Sequence, residues 1–312
     1  MLRNVVEPIV RTASNFQHIS ILQGTKVYGV HLHPIPIPAR ERDARKDHPN
    51  FFFDQEAYVR EMGARHGFNY TALRPQLVTG PTPGALNVLP AIGVYAAIRR
   101  EKGEPFSFPG GPSFVWEAEA DLVADVMVWA AQSPQAANEA FNITNGDVFE
   151  WRNVWPAIAK TLGAETGPDM PTSVTAYINE ITDVWDRIVA KYHLRSRNLR
   201  ELVGQGDQHA DFAFAYAAPA GPRAFVSTVK LRQAGFTKST AVSDRSQAPA
   251  AGCDVIRTPR SRRCRCCRLS IPVRNKPYPD GRATWIEGSN DVGCVASVDK
   301  SMRPKLTCHR HG

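Results

Sequence analysis

The spacing of apolar residues along positions 1–237 changes several times between a helical and an extended pattern. Apolar residues three or four positions apart mark one face of a helix, whereas a short apolar run between polar residues marks a buried strand. The pattern predicts strands at 18–22, 70–74 and 141–144, and helices at 2–9, 54–66, 91–101, 118–131, 151–162, 173–192, 199–203 and 228–234. Strands that alternate with helices are typical of the α/β class, and the later part is mainly helical.

Prolines and glycines interrupt this alternation in two places. Segment 33–40, HPIPIPAR, contains three prolines without an amide hydrogen, which predicts a stiff, exposed and extended loop. Segment 80–84 begins and ends with glycine and is predicted to be a turn. The spacing Gly-x-Gly-x-x-Gly, which marks a dinucleotide-binding turn, does not occur in the sequence. The pattern alone therefore indicates an α/β protein and no particular ligand.

Charge and cysteine separate the last fifth of the chain from the rest. Residues 251–312 carry 13 of the 38 basic side chains and only 5 of the 30 acidic ones, so the whole net charge of +8 lies there. Residues 1–250 contain no cysteine, as expected for a reducing compartment. The first 14 residues include Glu7 and form no long apolar run. We therefore expect a cytoplasmic protein without a membrane segment.

The cysteines of the tail raise the alternative of a zinc site among nucleic-acid-binding arginines. Structural zinc motifs present two pairs of ligands at short spacing, but the tail has only one irregular Cys-x-Cys-Cys. Its arginines would attract phosphate without specificity. We expect residues 238–312 to be a disordered or frame-altered tail, with nucleic-acid or zinc binding as an alternative function. The six cysteines are Cys253, Cys264, Cys266, Cys267, Cys294 and Cys308.

Eight segments between positions 22 and 236 together resemble one family of enzymes. They are LQGTKVYG at 22–29, PARE at 38–41, NFFFDQE at 50–56, LRPQLVTG at 73–80, FPG at 108–110, FNITNGDVFEWR at 141–152, VWDRIV at 184–189 and STVKLRQAGF at 227–236. In type and order they are similar to the progesterone 5-beta-reductase/iridoid synthase-like (PRISE) branch of the short-chain dehydrogenases/reductases.

This resemblance implies that residues 1–237 are the C-terminal portion of a Rossmann-type NAD(P)-dependent reductase. The expected fold is a partial, doubly wound and mainly parallel sheet that lacks its first strands, with a mostly helical region on the substrate side. Residue 1 would correspond to a helix that follows the Gly-rich turn, so we expect an N-terminal truncation and an exposed sheet edge. The tail from 238 onward would be unrelated to the family.

The resemblance also assigns site residues. Lys26 matches the family lysine, which binds the nicotinamide ribose and carries positive charge beside a tyrosine. The position of that tyrosine is occupied by Phe52. Segment 74–80 would lie near the nicotinamide carboxamide, with Pro75 and Val78 as contacts. The implied cofactor is NADP or NAD, and no metal is expected.

In the family, hydride addition to an enone places negative charge on the carbonyl oxygen, which a hydroxyl stabilises. Phe52 has no hydroxyl, and loss of such a donor costs about 100- to 1000-fold in rate. Tyr28, His31 and His33 are nearby in sequence and could replace it, although each is more typical of a loop or packing residue. The implied function is reduction of an enone or carbonyl in a small hydrophobic substrate. The alternative is an inactive remnant, and a homodimer is left open.

Overall fold

The structure is a computed structural model. It describes residues 1–44, 47–79, 87–111, 115–116, 118–119, 121–194, 198–216, 224–238, 283–286 and 295–298. The predicted turn at 80–84 and all six cysteines lie outside these described residues.

The described strands form one main sheet and two short pairs. The strands are β1 (His18–Leu22), β2 (Asn69–Pro75), β3 (Leu77–Val78), β4 (Val115–Trp116), β5 (Ala118–Glu119), β6 (Glu139–Ile143), β7 (Phe149–Glu150), β8 (Ala283–Ile286) and β9 (Val295–Val298). The main sheet has the order β6-β2-β1-β9-β8, in which β6, β2 and β1 are parallel. All five residues of β1 are buried, as expected for a parallel strand covered on both faces.

Helices cover both faces of the parallel strands and form a separate group beside them. They are α1 (Leu2–Thr12), α2 (Phe51–His66), α3 (Val88–Glu101), α4 (Asp121–Gln132), α5 (Trp151–Leu162), α6 (Val174–Glu180), α7 (Thr182–Tyr192), α8 (Leu199–Val203), α9 (Gly206–Ala213) and α10 (Val229–Gln233). Helices α1 and α2 pack on one face of β1 and β2, and α4 packs on the other. Helices α3 and α5 to α9 share a separate core, and we call them the helical region. The α/β prediction is therefore confirmed.

Several elements differ from the prediction. Helix α2 begins at Phe51 instead of residue 54, because the Asn50 side chain accepts the Phe52 amide and caps the helix earlier. Residues 118–119 are a strand instead of a helix, because they pair with β3. The helix predicted at 173–192 is two helices, since Ile181 leaves the helical conformation. Helix α9 was not predicted.

The proline-rich loop forms no helix or strand, but it bends at residues 33, 37 and 38 and is not exposed throughout. Ile35 and Ala39 are buried against Val27 and Tyr28. Ala39 also pairs with a segment that is distant in sequence. Its amide donates to the Phe225 carbonyl at 2.8 Å, and its carbonyl accepts from the Ser227 amide at 2.8 Å. The loop is therefore anchored at its end by backbone hydrogen bonds.

The described part of the tail is not free of regular structure. Strand β9 pairs antiparallel with β1, with Ile19 opposite Ser297 and Ile21 opposite Val295, and β8 pairs with β9. The disorder expected for the tail as a whole stays a prediction. The physical reason for the pairing is that an uncovered edge strand presents unpaired amide and carbonyl groups that another strand can satisfy. The edge of β1 that was expected to be exposed is thus paired.

Within the described ranges, no helix combines the length and the apolar character that crossing a bilayer requires.

Candidate active site

Three buried polar residues lie where the parallel strands end. Gln23 follows β1, Arg74 is the penultimate residue of β2, and Asn142 is the penultimate residue of β6. Because the strands are parallel, their carboxyl ends meet at one edge, which is where open α/β sheets bind their ligands. We call the residues gathered there the carboxyl-edge cluster: Gln23, Tyr28, Glu56, Arg74 and Asn142.

Arg74 is the centre of the carboxyl-edge cluster. Its guanidinium donates to the side-chain oxygen of Gln23 at 2.9 Å, to Glu56 at 3.4 Å and to the backbone carbonyl of Glu41 at 3.1 Å. Gln23 in turn donates to Glu56 at 3.3 Å and to the Phe52 carbonyl at 3.1 Å. A buried guanidinium needs a partner for its charge, and Glu56 on α2 provides it. The cluster therefore joins β1 and β2 to the first turns of α2.

Tyr28 and Asn142 extend the cluster to β6. The buried Tyr28 hydroxyl donates to the Asn142 side-chain oxygen and accepts from Arg74 at 3.4 Å. Burial raises the pKa of Tyr28 above its usual value. The Asn142 amide group donates to the carbonyls of Ala39 and Ser227, each at 3.1 Å. The Tyr28 hydroxyl is therefore used inside the protein and does not face a substrate.

Lys26 lies in a 3-10 turn, Thr25–Tyr28, directly beyond the carboxyl-edge cluster. Its carbonyl accepts three hydrogen bonds, from the Gly29 amide at 3.1 Å, the His48 ring at 3.2 Å and the Asn50 side chain at 3.1 Å. Gly29 closes the turn with a φ of 78°, which favours glycine. The Lys26 side chain is exposed, and its ammonium group has no hydrogen-bond partner in the described part of the chain.

Phe52 lies beside the Lys26 turn. The Asn50 side chain connects the two, because it accepts the Phe52 amide at 3.0 Å and donates to the Lys26 carbonyl. The Phe52 ring is only 7% exposed and packs with Val27 and Tyr28. It preserves the packing of this position but supplies no hydrogen-bond donor.

Pro75 lies at the carboxyl edge of the main sheet, and Val78 follows three residues later in the short β3–β5 pair. Pro75 ends β2, and a Cβ on Gly24 would lie 3.7 Å from the Pro75 carbonyl, so the two segments approach closely. Val78 is 41% exposed although it lies in a strand. The assignment of these residues stays a prediction.

Three histidines surround the Lys26 turn, and sequence reasoning noted only His31 and His33. His48 is nearly buried, with its ring 5.3 Å from the His31 ring and 5.5 Å from the Phe53 ring. His31 is exposed. Partial burial, followed by the charges of His48, Lys26 and His33, lowers the pKa of His31. His48 had no recognisable motif, because it reaches the turn across 22 residues of chain.

The residues fit one end of the implied cofactor only. Lys26, Pro75 and Val78 could hold the nicotinamide and its ribose, whereas a pyrophosphate needs backbone amides at a Gly-rich turn before a helix. The sequence has no such spacing. In the described ranges, no group of three or more histidine, cysteine, aspartate or glutamate residues is placed to hold a metal ion.

Comparison with protein families gives a match over residues 1–217 to the model of the PRISE-like Rossmann-fold domain. The chain belongs to the PRISE-like Rossmann-fold family. The match covers the three parallel strands, the Lys26 turn and the helical region. The expected membership of the short-chain dehydrogenases/reductases is thereby confirmed.

Two curated relatives of this PRISE-like chain are plant proteins. An (S)-8-oxocitronellyl enol synthase of Camptotheca acuminata is 32% identical over 220 residues, which are 65% of this chain and 56% of that protein. A 3-oxo-Delta(4,5)-steroid 5-beta-reductase of Arabidopsis thaliana is 31% identical over 218 residues, again 65% of this chain and 56% of that protein. The chain thus spans about half the length of the curated relatives it matches.

A solved structure shares the fold at low sequence identity. The GDP-mannoheptose C4 reductase of Campylobacter jejuni, solved with NADP bound, has a TM-score of 0.53 and 12% identity. The alignment covers 81% of this chain and 72% of the reductase. This similarity supports the Rossmann fold of the PRISE-like chain.

Proposed function

We propose that this chain carries the nicotinamide-facing and substrate-facing part of an NAD(P)H-dependent reductase. Its substrate would be the enone or carbonyl group of a small hydrophobic molecule. The observation that carries the proposal is the Lys26 turn, which is fixed through its carbonyl while the amine faces solvent at the carboxyl edge of the sheet. The names of the two plant relatives, an (S)-8-oxocitronellyl enol synthase and a 3-oxo-Delta(4,5)-steroid 5-beta-reductase, support the same chemistry.

When bound, the reduced cofactor supplies a hydride to the electron-poor carbon of the enone. The electron pair of the carbon–carbon double bond then shifts towards the carbonyl group, and negative charge collects on its oxygen. The task of this chain is to place the substrate and to stabilise that oxygen. Lys26 provides a positive charge for it, and the buried carboxyl-edge cluster holds the turn in place beneath.

The test has two measurements on the 312-residue protein. The first is a titration with NADPH, which reports cofactor binding, and the second is the rate of NADPH oxidation in the presence of a 3-oxo-Δ4 steroid. We expect Lys26→Met to lower turnover by about 100-fold, because it removes the charge beside the reacting oxygen. Lys160→Met is the matched control, since Lys160 is an exposed lysine on α5 in the helical region. Equal turnover of the Lys26 and Lys160 variants would contradict the proposal.

A second candidate function is non-catalytic binding of the same class of small molecule. Phe52 favours it, because its buried ring occupies the position that the family resemblance assigns to a tyrosine. The variant Phe52→Tyr separates the candidates. A gain in turnover of about 100-fold or more would show that the missing hydroxyl disables the natural chain. A change smaller than about threefold would show that another group serves the substrate oxygen.

A further inference from the structure

The group that could serve the substrate oxygen in place of Phe52 must be a hydrogen-bond donor beside Lys26. Tyr28 is excluded, because its hydroxyl is buried and engaged by Asn142 and Arg74. His48 is excluded as well, since its ring is nearly buried and its Nε2 meets the Lys26 carbonyl at 3.2 Å. A donor that already has a partner inside the protein would have to lose it to bind a ligand.

His33 is also engaged. Its Nδ1 lies 3.1 Å from the Pro34 carbonyl, which accepts the ring hydrogen. The other side of the ring lies against the turn glycine, because a Cβ on Gly29 would be 2.7 Å from the His33 Nε2. The His33 ring therefore packs on the Lys26 turn and supports its shape.

His31 differs from the other two histidines. It is exposed, and neither ring nitrogen has a hydrogen-bond partner among the residues that the structure describes. Its ring contacts His48 edge-on at 5.3 Å between centroids, and His48 is bonded to the Lys26 turn, so the orientation of the His31 ring is constrained. Burial, followed by the charges of His48, Lys26 and His33, lowers the pKa of His31, and its ring lies beside the Lys26 turn through the contact with His48.

We propose that His31 and Lys26 together form an oxyanion-binding site, in which both side chains donate hydrogen bonds to the negatively charged oxygen of the substrate. His31 thereby takes the place of the hydroxyl that Phe52 lacks. This inference rests on the proposed function for the identity of the oxygen. The neutral imidazole favoured by the lowered pKa still has one N–H group to donate.

A phenolate carries a negatively charged oxygen like that of the substrate, and its binding needs no cofactor. The test is therefore the binding of 4-nitrophenol to the 312-residue protein, measured through the visible absorbance of the phenolate. We expect phenolate to bind more tightly than neutral phenol, which lowers the apparent pKa of the bound probe by about one unit. His31→Phe keeps an aromatic ring but removes the donor, and should weaken phenolate binding about tenfold. His31→Gln provides an N–H donor at the same position, so it should weaken phenolate binding less than His31→Phe does.

The control variant is His66→Gln, which changes an exposed histidine at the far end of α2 and should bind phenolate like the unaltered chain. Binding of neutral phenol should be the same in all variants. The proposal is overturned if His31→Phe binds phenolate as tightly as the unaltered chain, or if the unaltered chain does not prefer phenolate. A chain that prefers phenolate but never oxidises NADPH would retain this site and refute the proposed reductase.

Discussion

The carboxyl-edge cluster and the core of the helical region are both largely buried, but they are held together by different interactions. In the helical core, Tyr95, Phe106, Phe108, Trp155 and Phe214 form a continuous set of ring contacts with centroids 4.4 to 6.4 Å apart. The carboxyl-edge cluster instead uses directional hydrogen bonds and an ion pair. Aromatic packing contributes free energy in proportion to buried area, whereas a polar cluster fixes the positions of its members.

The two regions should therefore respond differently to substitution. The helical core can lose one hydrogen bond and remain packed, because its contacts are numerous and non-directional. The carboxyl-edge cluster joins three strand ends, the proline-rich loop and α2, so the loss of one member leaves buried polar atoms without partners. We therefore expect substitutions in the first region to change stability and substitutions in the second to change the Lys26 turn as well.

The largest expected effect belongs to the helical core. Trp155 is 2% exposed, stacks on Phe106 at 4.4 Å between centroids and donates its indole hydrogen to the Phe106 carbonyl at 3.0 Å. Trp155→Ala should lower the free energy of unfolding by about 4 kcal/mol, measured by urea denaturation. Trp155→Phe keeps most of the ring contacts and should lose markedly less. If both variants lost the same unfolding free energy, buried aromatic area would not be what stabilises this region.

A smaller effect is expected when the charge at the centre of the carboxyl-edge cluster is removed. Arg74→Met leaves Glu56 and the polar atoms around it without their buried partner, and should cost about 3 kcal/mol in unfolding free energy. Arg60→Met is the matched control, because Arg60 also pairs with Glu56, at 2.8 Å, but its side chain is 55% exposed. We expect a loss below about 1 kcal/mol there.

The double variant Arg74→Met with Glu56→Gln sharpens the same comparison. It removes both charges, so it should be more stable than Arg74→Met alone. A double variant that loses the sum of the two single losses would mean that the ion pair contributes no coupling to the cluster.

The smallest expected effect is a pH dependence that involves both regions. Burial lowers the pKa of His18, at the start of β1, to about 4, and burial also lowers the pKa of His209 on α9. A histidine whose folded pKa lies below its unfolded value destabilises the fold as pH falls, because the unfolded chain takes up the proton first. Burial of His18 should therefore lower the free energy of unfolding by about 2 kcal/mol when the pH falls from about 7 to about 5.

Urea denaturation across this pH range provides the measurement. His18→Gln should make the unfolding free energy less dependent on pH by the amount that His18 in the sheet contributes. His209→Gln should remove the smaller pH dependence that His209 in the helical region contributes. A profile that keeps its full slope in the His18 variant would contradict the burial of this ring.

Local signals in the sequence were sufficient for many elements. The strand at 18–22 and the helices at 151–162 and 199–203 were predicted with the bounds that the structure has, because each is a compact run with its own polar flanks. Helix α9 was missed for a tertiary reason. It begins at Gly206, which would indicate a loop, but a Cβ there would lie 2.2 Å from the Asn87 carbonyl, so only glycine allows α9 to approach α3.

The sequence by itself determined the α/β class, the family resemblance and the position of Lys26 after a buried strand, since these depend on neighbouring residues. Only the tertiary structure decided what surrounds Lys26. The hydrogen bond between Tyr28 and Asn142 joins residues 114 positions apart, and β3 meets β5 across about 40 residues of chain. Such contacts depend on how the strands align in space, because hydrogen-bond partners are chosen by distance and direction and leave no periodic pattern along the chain.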